Sequence, residues 1–379
     1  MNSILVIAGE ISGDMHAAKV VRAVQRGNPG VTFFGIGGDG LRAAGVEILY
    51  DVKDMAVLGL YEVLKRYFFF KRVFDDLVRV AAERKPDAVL LVDYPGFNLR
   101  FAEAMHARGI KVIYYVCPQV WAWHRSRIPK MAKTIDRLMV IFPFEIDVFK
   151  GTGLKVDFVG HPLVEETAKA LAEPLQPLPW QGEPRVALLP GSRRQEIERI
   201  LPPMWGAAAL LQRKTPGASF ILAAASEDIA ALCRDVISNF KSRISNLDIV
   251  TGATRQILRQ AKAAMVASGT ATVETALMGC PMIVVYKTAA PTYFFGRMLV
   301  QVPHLGMVNL IAGREVCSEF IQGAATPEAL ARAMEPLLAE SDMRKKMVAD
   351  LAEVRSTLGS GGAAENVASI VLAETGVCS

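Results

Sequence analysis

The sequence predicts two doubly wound α/β domains facing one another across a cleft, each a parallel sheet covered by helices. Three observations carry this. Short, continuous apolar runs alternate with longer segments of helical period, the pattern of strands buried on both faces. The segments between them have crossover length, so the unit is β-α-β, repeated. The 379 residues exceed one ordinary core, and a proline-rich stretch divides the strands into two series.

The first series is Ile4–Ala8, Val31–Gly35, Ala88–Val92, Lys111–Val116, Arg137–Ile141 and Val156–Val159. The second is Val186–Leu189, Phe220–Ala223, Asp248–Val250, Ala263–Val266 and Met282–Tyr286. Between them EPLQPLPWQGEP, residues 173–184, holds four prolines in twelve residues. Proline removes donors and fixes φ, so this stretch reads as a linker. The expected organisation is an N-terminal α/β domain over 1–172, the linker over 173–184, and a C-terminal α/β domain over 185–340. Beyond Pro327 the pattern is helical. Residues 341–379 are expected to return to the first domain, broken by Gly-Ser-Gly-Gly at 359–362.

Bulk properties exclude several classes. A net charge of +5 is far from the dense basic arrays of nucleic-acid binders, and suits an anionic substrate or membrane surface. Five cysteines without a C-x-x-C pair argue against a disulfide framework and a structural zinc site. MNSILVIAGE enters a strand without a basic n-region, and no run is apolar and long enough to span a bilayer. A cytoplasmic protein is expected.

Within the second series, ALLPGSRRQEIERI (187–200) runs from a buried strand through Gly191 and Ser192 into a helix. Such a turn aims backbone N–H groups and the helix dipole at an anion, and Arg193 can grip a diphosphate bidentately. The competing reading is an ordinary turn with a solvated arginine pair. VASGTATVETALMGCPMIV (266–284) repeats the design through Ser268, Gly269 and Thr270, with a helix starting near Thr272. Glu274 there either caps that helix or accepts bonds from ribose hydroxyls. Two such turns in one domain point to a nucleotide diphosphate.

In the first series, AGEISGDMH (8–16) presents Gly9, Ser12 and Gly13 before a helix, but no G-K-[ST] follows to make a Walker loop. Asp14 is read as an N-cap. GIGGDG (35–40) matches G-x-G-x-x-G, yet it follows the second strand and precedes only a stub of helix, which excludes a dinucleotide site. Strand Ala88–Val92 ends in Asp93, a candidate general base, with capping by Asp93 or Asn98 as the alternative. YVCPQVWAWHRSR (115–127) either lines a sugar or lipid pocket or packs its tryptophans without a ligand.

Residues 57–74, VLGLYEVLKRYFFFKRVF, carry Leu58, Tyr61, Leu64, Phe68 and Phe69 among Lys65, Arg66, Lys71 and Arg72. This segment can lie in a membrane interface, or be a core helix or dimer seam. No Asp-x-Asp occurs, and the histidines lack metal-ligand spacing, so no metal and no cofactor are expected.

The ordered series AGEISGD, LGLYEVL, DYPGFN, CPQVWAW, FPFE, FVGHPL, LPGSR-x-x-E, ASGTATVE, CPMIVVY and VNLIAGREVCSEFIQ resembles the lipid-A-disaccharide synthase family over nearly the whole chain. The resemblance implies a GT-B fold built of two Rossmann-like domains, with the nucleotide on the C-terminal one. It implies transfer of 2,3-diacylglucosamine from its UDP form to 2,3-diacylglucosamine 1-phosphate, with inversion, giving the β-1,6 disaccharide 1-phosphate and UDP. Asp93 would be the base and Arg193 would hold the diphosphate. Gly191, Ser192, Gly269, Thr270, Glu274 and Asn309 would surround the nucleotide, with Glu10, Ser12, Gly13 and Gln119 near the sugars. It also implies a peripheral protein on the cytosolic face of the inner membrane, touching it through Leu64, Lys65, Arg66, Phe68, Phe69, Lys71 and Arg72, and a homodimer with exchanged C-terminal segments. Some relatives carry a second acid where this chain has Gly96. The rival readings are a UDP-N-acetylglucosamine 2-epimerase and a nucleotide-sugar binder without catalysis.

Overall fold

The computed structural model describes residues 2–55, 67–240, 243–289, 293–294, 296–297, 300 and 302–376. The chain divides into two compact units, Met1–Pro162 with Gly361–Ser379, and Leu163–Ser360.

In the first unit the strands are β1 (Ser3–Ala8), β2 (Thr32–Gly37), β3 (Glu47–Asp51), β4 (Ala88–Val92), β5 (Lys111–Tyr115), β6 (Arg137–Val140) and β7 (Lys155–Phe158). They pair in the order β3-β2-β1-β4-β5-β6-β7, all parallel. Both faces of β1 and β4 are buried, which explains their unbroken apolar sequence. Ile4, Val6 and Ala8 point to the face covered by helix Ile11–Gly27, and Leu5 and Ile7 to the face covered by Tyr67–Arg84 and Pro95–His106. Each such side chain removed from water contributes on the order of 1.5–3 kcal/mol.

The second unit contains β8 (Arg185–Leu189), β9 (Ser219–Ala224), β10 (Leu247–Thr251), β11 (Ala263–Ala267), β12 (Met282–Tyr286) and β13 (Glu319–Ile321). Their order is β10-β9-β8-β11-β12-β13, again parallel. In each sheet the strand order reverses once, between β1 and β4 and between β8 and β11. A ligand crevice forms beyond the carboxyl ends of the strands at such a switch point.

The two strands absent from the sequence reading, β3 and β13, are sheet edges. Short, half-buried and bearing acids at their ends, they lack the continuous apolar signal of the inner strands.

The domain boundaries differ from expectation. The first unit ends at Pro162, not 172. Helix Leu163–Ala172 joins the second unit, where the Ala170 carbonyl accepts a hydrogen bond from Arg259 Nη1 at 3.2 Å and Glu166 pairs with Arg255. The proline-rich stretch is bound to the second unit rather than acting as a free linker. The carbonyls of Pro174 and Gln176 accept from the Gln256 and Gln260 side-chain amides, and Gln181 N donates to Ser219 Oγ. Neighbouring amides thus supply the partners that a proline-rich backbone cannot supply itself. Helix Asp342–Thr357 also stays in the second unit, against helices Thr270–Leu277 and Met307–Ala312. Only Ala363–Glu374 lies on the first unit, along helix Ile11–Gly27. Lys111 Nζ donates to the Glu374 carbonyl, and Asn366 Nδ2 to the Val159 carbonyl. The change of unit falls at Gly359, Gly361 and Gly362, all at positive φ.

Candidate active site

At the switch point of the first sheet, Ala8 pairs with Val92, so the residues following β1 and β4 are neighbours. Asp93 and Tyr94 both adopt left-handed φ, 48° and 49°. Two such non-glycine residues in succession persist only when their surroundings hold them. Here the Asp93 carbonyl accepts from Tyr114 Oη at 2.6 Å and from Asn98 Nδ2 at 2.8 Å, while Asp93 N donates to the Tyr115 carbonyl. Gly9 admits the Tyr94 ring: a Cβ there would lie 2.2 Å from Cδ1.

The Asp93 carboxylate has no cationic partner among the described residues. Burial first and the Glu10 charge second raise its pKa to about 6, against the opposing Tyr94 N–H. Glu10 stands exposed at the start of helix Ile11–Gly27 and makes no capping bond. Ser12 is exposed and Gly13 buried in the same first turn. Gln119 is exposed before the short helix Val120–Trp123. Asn98 is fully buried beneath the Asp93 turn, so its role is to hold that turn.

Asp14 is not an N-cap. Its buried carboxylate accepts from Gly38 N at 2.6 Å, Gly40 N at 2.8 Å and Leu41 N at 3.1 Å. A Cβ at Gly40 would meet Asp14 Oδ2 at 2.7 Å. GIGGDG is therefore an anion cradle, and the anion is the protein's own carboxylate.

The aromatic run divides. Trp121 is buried and donates from Nε1 to Glu145 at 3.0 Å, whereas Trp123 is half exposed. Glu145, almost wholly buried, has its pKa pushed up to about 7 by desolvation.

In the second unit the two turns lie side by side at the switch point, since β8 pairs with β11. Gly191 has φ +111°, and helix Arg194–Lys214 begins without a side-chain cap. Gly269, φ +142°, precedes the equally uncapped helix Thr270–Leu277. Helices Glu227–Ser238, Pro327–Leu338 and Asp342–Thr357 are capped by Ser226, Thr326 and Ser341. No side-chain cap occupies the N–H donors of the two crevice turns, as is also the case for helices Thr254–Gln260 and Met307–Ala312. Ser192, Arg193 and Thr270 are exposed there. The Glu196 carboxylate folds back over the first turn, accepting from Ser192 N at 3.3 Å, with Arg193 Nη1 at 3.6 Å.

The helix carrying Glu274 starts at Thr270, two residues earlier than expected, so Glu274 lies beyond its first turn and is no cap. Its Oε1 accepts from Arg255 Nε at 2.7 Å. Together Glu274, Arg255 and Glu166 line a cavity of about 550 Å³ beyond the ends of β9 and β10, with Ala225, Gly252 and Thr254. Arg255 and Glu166 were missed in the sequence, although β10 had been read and a residue just past a strand end is a crevice candidate.

Asn309 does not offer its side chain to a nucleotide. It is fully buried; Nδ2 donates to the Cys317 carbonyl and Glu319 Oε1, and Oδ1 accepts from Val316 N and Cys317 N. Its amide is saturated inside the unit, bracing the segment that follows it, residues 316–319.

Of the expected membrane residues, Leu64, Lys65 and Arg66 lie outside the described residues, as does the first half of the 57–74 segment. Phe68 is 78% exposed, and Lys71 and Arg72 are exposed. Phe69 instead packs on the core with Phe70, because it falls on the inward side of helix Tyr67–Arg84. Lys71 pairs with Asp75 at 2.6 Å.

A family model described as lipid-A-disaccharide synthetase matches residues 4–371. Curated proteins similar to the chain include lipid-A-disaccharide synthase from Syntrophus aciditrophicus, 42% identical over 98% of both chains. Another, from Anaeromyxobacter sp., is 43% identical over 98% of this chain and 97% of its own. Solved structures of similar fold include UDP-GlcNAc 2-epimerase from Neisseria meningitidis bound to UDP-GlcNAc, TM-score 0.64 and 15% identity, covering 98% of this chain and 100% of that one. A calicheamicin glycosyltransferase aligns at TM-score 0.60 and 16% identity over 99% and 98%. At these identities the structures establish the fold alone, one shared by transferases and epimerases.

Proposed function

The chain belongs to the lipid-A-disaccharide synthetase family, and from that premise we propose that it joins a UDP-2,3-diacylglucosamine donor to 2,3-diacylglucosamine 1-phosphate. It is a UDP-sugar-dependent glycosyltransferase of lipid A biosynthesis with two parallel-sheet α/β units. The proposed step is a single inverting displacement. The acceptor 6-oxygen attacks the anomeric carbon, its proton passes to Asp93, and the bond to the diphosphate breaks to release UDP.

The observation that carries this reading is Asp93: a carboxylate at a sheet switch point, held in a constrained turn, unpaired with any cation among the described residues, and with a pKa raised to about 6. A base is most effective when its pKa approaches the working pH. The leaving diphosphate is read as seated on the uncapped Gly191–Arg193 and Gly269–Thr270 turns, where Arg193 and backbone N–H groups stabilise its charge. There it takes the place of the Glu196 carboxylate. Glu274 lies about 6 Å along its helix from Thr270, one nucleoside's reach from the phosphates. Glu10, Ser12, Gly13 and Gln119 are read as lining the sugar side. On this reading the reaction uses neither metal nor cofactor, and the protein works against the cytosolic face of the inner membrane through Phe68, Lys71 and Arg72. A homodimer with exchanged C-terminal segments would seat a second copy's Ala363–Glu374 helix on Ile11–Gly27.

Incubating the purified chain with both acylated substrates should yield the disaccharide 1-phosphate and UDP. Turnover of unacylated UDP-N-acetylglucosamine instead, without disaccharide, would replace this reading with an epimerase.

A further inference from the structure

Arg255 enters the cavity of the second unit from helix Thr254–Gln260 and sits between two carboxylates. Nε donates to Glu274 Oε1 at 2.7 Å and Nη2 to Glu166 Oε2 at 2.6 Å. Three helices therefore meet through one guanidinium: Leu163–Ala172 through Glu166, Thr254–Gln260 through Arg255, and Thr270–Leu277 through Glu274. The arginine side chain remains 32% exposed to the cavity. Two of its five N–H groups are used by these carboxylates, and no other acceptor among the described residues takes the rest.

The charge of the cavity selects the class of ligand. Its ionisable lining is Arg255 and Lys169 against Glu166, Glu173 and Glu274, two cations facing three carboxylates. A phosphate would enter against that balance. A neutral group rich in hydroxyls would not, and a cavity of about 550 Å³ is of the size that receives a nucleoside. The uncapped turns at β8 and β11, next along the sheet, offer the contrasting anion seat.

Building on the nucleotide-sugar reading above, we propose that Arg255 is the specificity-determining residue for the ribose of the donor. By holding Glu274 in one rotamer, it aims that carboxylate at the ribose 2′-hydroxyl, while Glu166 fixes the arginine from the other side. A lone glutamate samples several rotamers, and a guanidinium that gives one N–H to Glu274 while a second is held by Glu166 restricts that freedom. Lysine, a single point charge, cannot bridge two carboxylates in fixed directions.

The test measures binding of UDP and 2′-deoxy-UDP to the full chain by calorimetry. The wild type is expected to favour UDP by about tenfold, the value of one well-placed hydrogen bond to a charged group. Arg255→Lys should lose most of that preference, with the donor KM raised and kcat at saturation little changed. Arg255→Met removes the partner that Glu166 and Glu274 share and is therefore compared with Arg255→Met/Glu166→Gln, whose thermal melt reports the fold. Both should bind the two nucleotides with equal affinity. A folded Arg255→Lys or double variant that keeps the wild-type ratio overturns the role of Arg255 and leaves the transferase reading intact. A wild type that binds neither nucleotide overturns the transferase reading itself.

Discussion

The proposed chemistry rests on one side chain, Asp93. Its left-handed turn, fixed by Tyr114 and Asn98, keeps the carboxylate at the strand end, where no cation among the described residues pairs with it. Asp93→Ala should lower kcat by on the order of 10²–10⁴-fold while leaving UDP affinity little changed, checked by steady-state kinetics beside calorimetry. The pH dependence follows from the raised pKa. A base works only when deprotonated, so kcat/KM should be flat above about 6 and fall as pH drops below it, rather than below the ordinary 3.8. Because the Glu10 charge contributes to that rise, Glu10→Gln should move the acid limb to lower pH. A limb that stays in place would mean that another group controls it.

Secondary elements here serve two opposite ends with the same physics. Backbone N–H groups at a glycine-rich turn attract an anion, and in residues 37–41 that need is met internally by Asp14, whereas at Gly191 only Ser192 N is engaged, by Glu196, and the helix after Gly269 has no side-chain cap. Asp14→Ala leaves three backbone donors without their acceptor and should cost roughly 3 kcal/mol of stability, read from the urea midpoint, with Asp14→Asn costing less. Helix Tyr67–Arg84 is divided in a similar way. Phe69 and Phe70 belong to the core, so replacing them would test folding, while Phe68 with Lys71 and Arg72 faces outward. Phe68→Ser with Lys71→Glu and Arg72→Glu should abolish sedimentation with anionic liposomes without lowering the melting temperature. Unchanged sedimentation would remove this face from any membrane role.

For the molecule as a whole, two sheets of like topology each contribute a switch point, one bearing a carboxylate and the other bearing N–H donors and Arg193. Among the described residues no helix is long and apolar enough to cross a membrane. With leaving-group charge assigned to arginine and helix N-termini, EDTA should leave turnover unchanged; loss of activity restored by a divalent ion would reassign that stabilisation to a metal.

The inner strands, the two glycine turns that open helices and the strand-end position of Asp93 were legible in the amino-acid order because each depends on local chemistry: continuous apolar runs for buried strands, glycine ahead of a helix, an acid at a strand end. The ordered motif series reached the family for the same reason. Hidden from the sequence was everything set by which strands become neighbours. Strand order alone brings Glu10 beside Asp93, and unit packing alone assigns helix Leu163–Ala172 and the proline-rich stretch to the second unit. Tertiary contact likewise turned Asp14 from a cap into a cradle's anion, closed Asn309 off inside its unit, and joined Glu166, Arg255 and Glu274, residues separated by up to 108 positions (274 − 166), into one clamp. Hydrogen bonds and ion pairs depend on distance in space, and local pattern carries no record of which distant segments will meet.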